Sequence, residues 1–243
     1  MNAVVKAIFF DVFGTVVDWR SGIANAFDQA FAKSGADIRA RDLADAWRAE
    51  IAARLLETAG DAADEARYVP LDTTHRETLA KVLDDADLAH RLGARERAAL
   101  ERAWESLRPW PDSVPGLRAL RREYVIAPCS HGSISMMTWL AKSAGLPWDL
   151  ILGADLARCH PPASKVYTHC AAAIGLDPGE VMLVSAHNRD LDAARAAGLK
   201  TAFFSRPKEF GKGQTTDLAP ADAWDVIAFD LLDLARHMEA SLI

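Results

Sequence analysis

The stretch from Val4 to Phe10, rich in Val, Ile and Phe, ends abruptly on a carboxylate, Asp11, followed by Val12-Phe13-Gly14-Thr15. A run that is apolar on both of its faces must bury both, so it reads as an interior strand of a parallel sheet. Open α/β sheets bind ligands at the carboxyl ends of their strands, and Asp11 falls at that edge. Gly14 lets the backbone turn sharply just beyond it. An isolated Asp-x-x-Gly-Thr would read equally well as a turn cap, so the motifs later in the chain decide between the two.

The texture changes twice. From about Gly22 to Arg108 the chain is rich in Ala, Leu, Arg and Glu, with apolar residues at helical spacing (Ile23, Ala26, Phe27, Ala30, Phe31). This block reads as helical, interrupted around Ala66-Arg67-Tyr68-Val69-Pro70. From Trp110 short apolar runs recur at Val125–Ala127, Leu150–Leu152, Val181–Val184 and Thr201–Phe204. Amphipathic segments lie between them at Ser133–Ala144, Ala163–Ile174 and Asp190–Ala197. Alternation of this kind predicts βαβ units and a parallel sheet. Asp225–Ala228 would add a strand and Leu231–Met238 a final helix. The expected architecture is α/β: a doubly wound, Rossmann-like core over residues 1–16 and 109–243, with a helical cap over 17–108 closing above Asp11.

With 243 residues, a net charge of −6 and no dominant basic cluster, the chain is long enough for a core plus an insertion and is a poor fit to a nucleic-acid surface. Cys129, Cys159 and Cys170 lack metal-ligand spacing, which points away from a zinc site or disulfide scaffold and toward a reducing cytoplasm. The N-terminus runs straight into the first strand, without a signal-peptide pattern, and no apolar stretch is long enough for a membrane span.

Three further polar clusters fall where strands should end. Ser130-His131-Gly132-Ser133 opens a helix, and a serine beside free N–H groups there suits an anion, although a plain N-cap serine is the alternative. Ser185-Ala186-His187-Asn188-Arg189-Asp190 is the second. The third, Cys159-His160-Pro161-Pro162-Ala163-Ser164-Lys165-Val166-Tyr167, reads as a proline-started helix with Lys165 one turn in.

The ordered set of Asp11-x-x-Gly14-Thr15, Ser130, a lysine-bearing helix start and Ser185 to Asp190 resembles the haloacid dehalogenase superfamily. Asp-x-Phe-Gly-Thr-Val-Val-Asp-Trp-Arg, Leu146-Pro147-Trp148-Asp149, Tyr167 and Arg206-Pro207 to Glu209-Phe210-Gly211 are similar to its metal-independent 2-haloacid dehalogenase branch. Phosphatases of the superfamily carry a second Asp two residues after the nucleophile. Here stands Phe13, which transfers no proton and forfeits a general acid/base contribution of ~10²–10⁴-fold. The resemblance implies that Asp11 attacks C2 of a short 2-haloacid, and that water directed by Asp190 hydrolyses the resulting ester to a 2-hydroxy acid. Arg48, in Asp45-Ala46-Trp47-Arg48, matches the cap arginine that assists halide departure. Ser130 and the backbone N–H groups around it would cradle the substrate carboxylate, Phe13 would line the pocket, Thr15, Tyr167 and Ser185 would orient or hydrogen-bond groups, and His131, His187 and Asn188 would bind substrate. It implies no cofactor and no metal. The partners are a small haloacid and the halide product, with neither nucleic acid nor membrane, and the apolar cap helices are compatible with a homodimer.

The chain departs from the branch in places. Six residues before Tyr167 stands Pro161, where the branch has lysine. Asp11, Asp190 and a substrate carboxylate would then crowd together without a cation. Lys165, four residues after Pro161 on the same helical face, is the replacement that spacing offers. His131 and His187 stand where the branch has asparagine, with Asn188 one residue late. These changes leave two alternatives: a catalytically altered or inactive member that binds a small carboxylic acid, and a magnesium-dependent phosphatase. Met136-Met137-Trp139-Leu140 reads as core, and Cys129 as a small buried thiol. His75, His90, His169 and His237 read as surface or capped residues, and the charges of Arg206 to Lys212 as solvated.

Overall fold

The computed structural model describes residues 4–58 and 68–240. The expected interruption at Ala66 and Arg67 lies outside the described residues.

The apolar run forms β1 (Ala7–Phe10), all four residues buried. A short β2 (Val17–Asp18) leads into α1 (Trp19–Phe31), α2 (Ala40–Thr58), α3 (Leu71–Asp85) and α4 (Ala94–Glu101). The chain returns through β3 (Arg108–Pro109), which pairs antiparallel with β2, so the ways into and out of the helical insertion are stitched side by side. Then come α5 (Ser113–Leu120), β4 (Val125–Ser130), α6 (Ile134–Ala144), β5 (Leu152–Gly153), α7 (Ala154–Ala157) and α8 (Ser164–Ala173). The chain finishes with β6 (Val181–Ser185), α9 (Asn188–Ala196), β7 (Lys200–Phe203), β8 (Val226–Ile227) and α10 (Leu231–Ala240). The sheet order is β5-β4-β1-β6-β7-β8 and every pairing in it is parallel. No described helix is long and apolar enough to cross a membrane.

The period-2 alternation of β1 divides its residues between two apolar clusters. Ile8 and Phe10 share one with Leu117, Met136, Leu140 and Leu234, from α5, α6 and α10. Ala7 and Phe9 share the other with Val166, Cys170, Leu191 and Ala194, from α8 and α9. Helices thus cover both faces, and a strand buried on both sides needs the unbroken apolar run seen in the sequence. Each such Phe or Ile stabilises the fold by about 1.5–3 kcal/mol on full burial.

Within the insertion, Asp18 caps α1 by accepting from the Ser21 N–H at 3.0 Å. The stripe Trp19, Ile23, Phe27, Phe31, spaced by four, faces inward. Trp47 of α2 and Trp104 join it in the cluster that holds Phe13 and Phe10, so insertion and sheet share one core. β5 starts later than the apolar run Leu150–Leu152 suggests. Gly153 (φ +130°) lies so close to Ser130 that a Cβ would stand 2.5 Å from its carbonyl oxygen. Only glycine fits where the two strand ends converge.

Candidate active site

Register brings the polar strand ends to one edge. Phe10 is aligned with Pro128 on β4 and with Val184 on β6, so Asp11, Ser130 and Ser185 emerge side by side. Asp11 is buried, and its backbone N–H donates to Val184 O at 3.0 Å. Beyond it the chain turns at Gly14 (φ +95°) and folds Thr15 back, whose Oγ1 donates to Asp11 Oδ2 at 2.6 Å. Thr15 Oγ1 in turn accepts from the Ala186 N–H at 2.9 Å, which fixes the direction of its proton. The other close group, His187 Nδ1, also approaches Oδ2, at 3.2 Å. Among the described residues nothing donates to Asp11 Oδ1, so one oxygen is oriented by two neighbours and the other has no donor.

His187 sits among three carboxylates. Its Nδ1 lies 3.2 Å from Asp11 Oδ2 and 3.5 Å from Asp190 Oδ2, and its Nε2 lies 2.9 Å from Glu209 Oε2. Burial works to discharge the ring, but Glu209 and the hydrogen bonds to Asp11, Asp190 and Glu209 outweigh it and hold the imidazolium well above its ordinary range. Ser185 Oγ accepts from the His187 N–H at 3.0 Å and lies 3.4 Å from Asp190 Oδ2, so the last residue of β6 orients both.

Asp11, His187 and Asp190 place donor atoms within 4.8 Å of one another. The imidazole lies within 3.5 Å of both carboxylates, and the three groups form an ion-paired cluster. Phe13, packed edge-on against Trp104 at 5.3 Å between ring centres, stands in the cavity wall near it.

A cavity of about 270 Å³ opens over this cluster, lined among others by Asp11, Phe13, Arg48, Leu55, His131 and Pro161. Arg48 of α2 reaches in from the insertion with its guanidinium 5.7 Å from the Trp19 ring centre. His131 Nδ1 lies 3.4 Å from His160 Nδ1, and His160 Nε2 meets Val69 O at 2.8 Å. Burial, then the neighbouring His160, push His131 down to about 3, so it enters the site as a neutral ring. Two buried hydroxyls, Ser130 Oγ and Tyr167 Oη, have no hydrogen-bond partner among the described residues. Ser133, and not Ser130, caps α6 by accepting from the Met136 N–H at 3.0 Å, so capping does not account for Ser130.

A family model for haloacid dehalogenase-like hydrolases matches residues 5–198. The chain belongs to the haloacid dehalogenase-like hydrolases. It is 27% identical to (S)-2-haloacid dehalogenase 4A of Burkholderia cepacia over 92% of this chain and 95% of that one. Among solved structures, it resembles a defluorinating L-2-haloacid dehalogenase at 46% identity and a TM-score of 0.91, over 97% of this chain and 95% of the other. A second L-2-haloacid dehalogenase matches at 42% identity and TM-score 0.91, over 97% and 99% of the two chains. These relatives support an enzyme of hydrolytic dehalogenation.

Within this hydrolase the expected residues do not all converge. Asp11, Thr15, Ser185, His187 and Asp190 meet through the hydrogen bonds and ion pairs of the cluster, and Phe13, Arg48 and His131 line the same cavity. Lys165, Ser130 and Tyr167 do not line it, and the ring of His187 holds the place beside Asp11 and Asp190. The physical reason is register: α8 begins at Ser164, after Pro161 and Pro162, so the helical face that would align Lys165 with Pro161 does not exist. Asn188 turns the other way. Its amide donates to Asp217 Oδ1 at 2.9 Å and to Ala219 O at 3.0 Å, and accepts from the Trp224 indole at 3.0 Å. It anchors the 217–224 segment and does not line the cavity.

Three expectations outside the cluster also change. Trp139 is 54% exposed, although Met136, Met137 and Leu140 are core. His75 is buried between Trp47 and Trp104, where burial and then Arg48 depress its pKa. Arg206 and Glu209 are not solvated: they are 8% and 1% exposed. Glu209 and Trp19 are site residues that sequence reasoning misses. The available signal for Glu209 is its place in the Arg206-Pro207 to Glu209-Phe210-Gly211 motif, although a charge in such a run reads as solvated.

Proposed function

We propose that this hydrolase dehalogenates short 2-haloacids through an ester on Asp11. Asp11 Oδ1 attacks C2, the carbon–halogen bond breaks and halide leaves with its electron pair, with inversion at a chiral C2. Water, its proton taken by Asp190, then adds to the ester carbonyl; the 2-hydroxy acid departs and the Asp11 carboxylate is regenerated. The hydroxyls of Ser130 and Tyr167, buried without partners among the described residues but outside the cavity lining, would turn to a substrate carboxylate on binding. Arg48 faces the cavity from the insertion and would draw off the halide. His187 supplies the positive charge that the missing lysine would otherwise bring, beside the two carboxylates that approach the substrate. We place the core at residues 1–16 and 109–243 and the cap at 17–108, meeting at the β2–β3 ladder.

The observation that carries this reading is the apolar, aromatic wall at Phe13, beside an aspartate with one unbonded oxygen. A phosphatase needs a proton donor at that place, whereas a carbon–halogen bond needs none. The cavity, about 270 Å³ with Phe13, Leu55, Leu56 and two prolines in its lining, favours a short acid. The similarity to a defluorinating enzyme makes fluoroacetate a substrate to include.

The test is halide release from chloroacetate, fluoroacetate and both 2-chloropropionate enantiomers, with chelator present, for the native enzyme and Asp11→Asn. Release that persists with chelator and vanishes in the variant supports the proposal. Absence of release from every substrate overturns it in favour of a carboxylic-acid binder, and magnesium-dependent hydrolysis of phosphate esters overturns it in favour of a phosphatase.

A further inference from the structure

Glu209 is a buried carboxylate with both oxygens in use. Oε1 accepts from the Trp19 indole N–H at 3.0 Å, and Oε2 faces His187 Nε2 at 2.9 Å. Trp19 is the first residue of α1, at the root of the insertion, while Glu209 closes a turn of the core by donating its N–H to Arg206 O at 3.0 Å. Phe210 packs edge-on against Trp19 at 5.8 Å. Gly14, three residues after the nucleophile, leaves the space: a Cβ there would stand 2.1 Å from Glu209 Oε1. A buried ion pair commonly stabilises a fold no better than an apolar replacement of the same size, so this carboxylate calls for a reason other than stability.

The reason lies at the other side of the imidazole. With Nε2–H given to Glu209, a neutral ring would turn the Nδ1 lone pair toward Asp11 and Asp190, both acceptors. Only a ring protonated on both nitrogens satisfies all three neighbours. The groups facing His187 are Asp11 after β1, Asp190 on α9, Glu209 in the 206–209 turn and His131 after β4, with Arg48 of α2 and Arg189 across the cavity.

Building on the dehalogenation reading, we propose that Glu209 is a positioning residue. With Trp19 it clamps the His187 ring so that Nδ1–H is directed at the nucleophile and Asp190, and ties that geometry to the root of the insertion. Glu209 touches neither substrate nor reacting atoms; it acts through His187. Trp19 adds the link to the insertion, because any movement of the first turn of α1 shifts the donor that holds Glu209.

Glu209→Gln keeps the shape and removes the charge. The expected result is an alkaline limb of kcat displaced to lower pH, read as about tenfold lower kcat at pH 9 with near-native kcat at pH 6, and KM less affected than kcat. Glu209→Asp, which keeps the charge, should recover part of the alkaline activity. Independently of turnover, ¹⁵N NMR of the native His187 ring should show both nitrogens protonated from pH 6 to 9. A native ring that titrates near 6.5, or a Glu209→Gln enzyme with an unshifted pH profile, overturns the proposal. The NMR measurement needs neither a variant nor a substrate. A doubly protonated ring in a protein that releases no halide would refute the dehalogenation reading while leaving the clamp standing.

Discussion

Replacing Arg206 by methionine removes a charge from the interior at a place where the structure fixes its partners. Its Nη1 and Nη2 donate to the two carboxylate oxygens of Asp112 at 2.8 Å each, and its Nε donates to Thr15 O at 2.9 Å. Asp112 Oδ2 also accepts from the Leu231 N–H at 3.0 Å. Methionine fills similar space between Phe204 and Trp110 but leaves Asp112 with the Leu231 N–H and no counter-charge from Arg206, and takes the Arg206 donor from the Thr15 carbonyl. Breaking one side of a buried pair costs about 3–5 kcal/mol, because an uncompensated charge stays behind. For a domain of this size that corresponds to a fall in Tm of about 6–20 °C. Neutralising the partner as well, in Asp112→Asn/Arg206→Met, should return a large part of it.

The pH dependence gives a second check on the same residue. Burial of Asp112 opposes its ionisation, but the Arg206 hydrogen bonds and charge outweigh that and hold its carboxyl below the usual range. A depressed carboxyl contributes stability above its unfolded pKa and loses it as pH falls through the folded value. The gap in Tm between native enzyme and Arg206→Met should therefore be widest at neutral pH and narrow toward acid. Calorimetry at pH 7, 5 and 3.5 decides. A loss below about 3 °C at pH 7, or a gap that does not narrow, refutes the reasoning.

Ser130→Ala should act in opposite directions on stability and binding. Removing an unpartnered buried hydroxyl should leave the free enzyme unchanged or up to about 1 kcal/mol more stable by denaturant midpoint, while KM for the haloacid rises about five- to tenfold. Lys165→Ala should leave kcat/KM for chloroacetate within about twofold of native, because His187 already supplies the charge beside Asp11 and Asp190. A tenfold loss would restore the lysine to the site.

Legibility without coordinates extends to whatever depends on neighbours close in sequence. The central strand is legible because Ala7 to Phe10 are buried on both faces, which demands an unbroken apolar run. Asp11, Ser130 and Ser185 are legible as edge residues because each ends such a run. Lys165 depends on one local feature: spacing counted from the prolines implies a helix already under way at Pro161, whereas α8 begins at Ser164 and holds Lys165 in its first turn. His75 carries a readable signal of burial, since Leu71, His75, Leu79 and Val82 form one stripe of α3.

Glu209 differs from all of these in kind. It lies in no helix or strand, so no periodicity marks it as buried. Its partner His187 is 22 residues away and Trp19 is 190 residues away. A glutamate between Lys208 and Phe210 in a loop that runs on into glycine has every local property of a solvated charge. Its burial is created only when β1, β6 and the root of the insertion converge, and the sequence points to that convergence only indirectly. Carboxylates and a substrate anion meeting at one sheet edge require a cation, and the lysine expected before Tyr167 is missing. That missing charge makes an imidazole at position 187 a candidate for the cation. An imidazole that must stay protonated next to a nucleophile then requires a buried anion on its far nitrogen, and Glu209 is that anion.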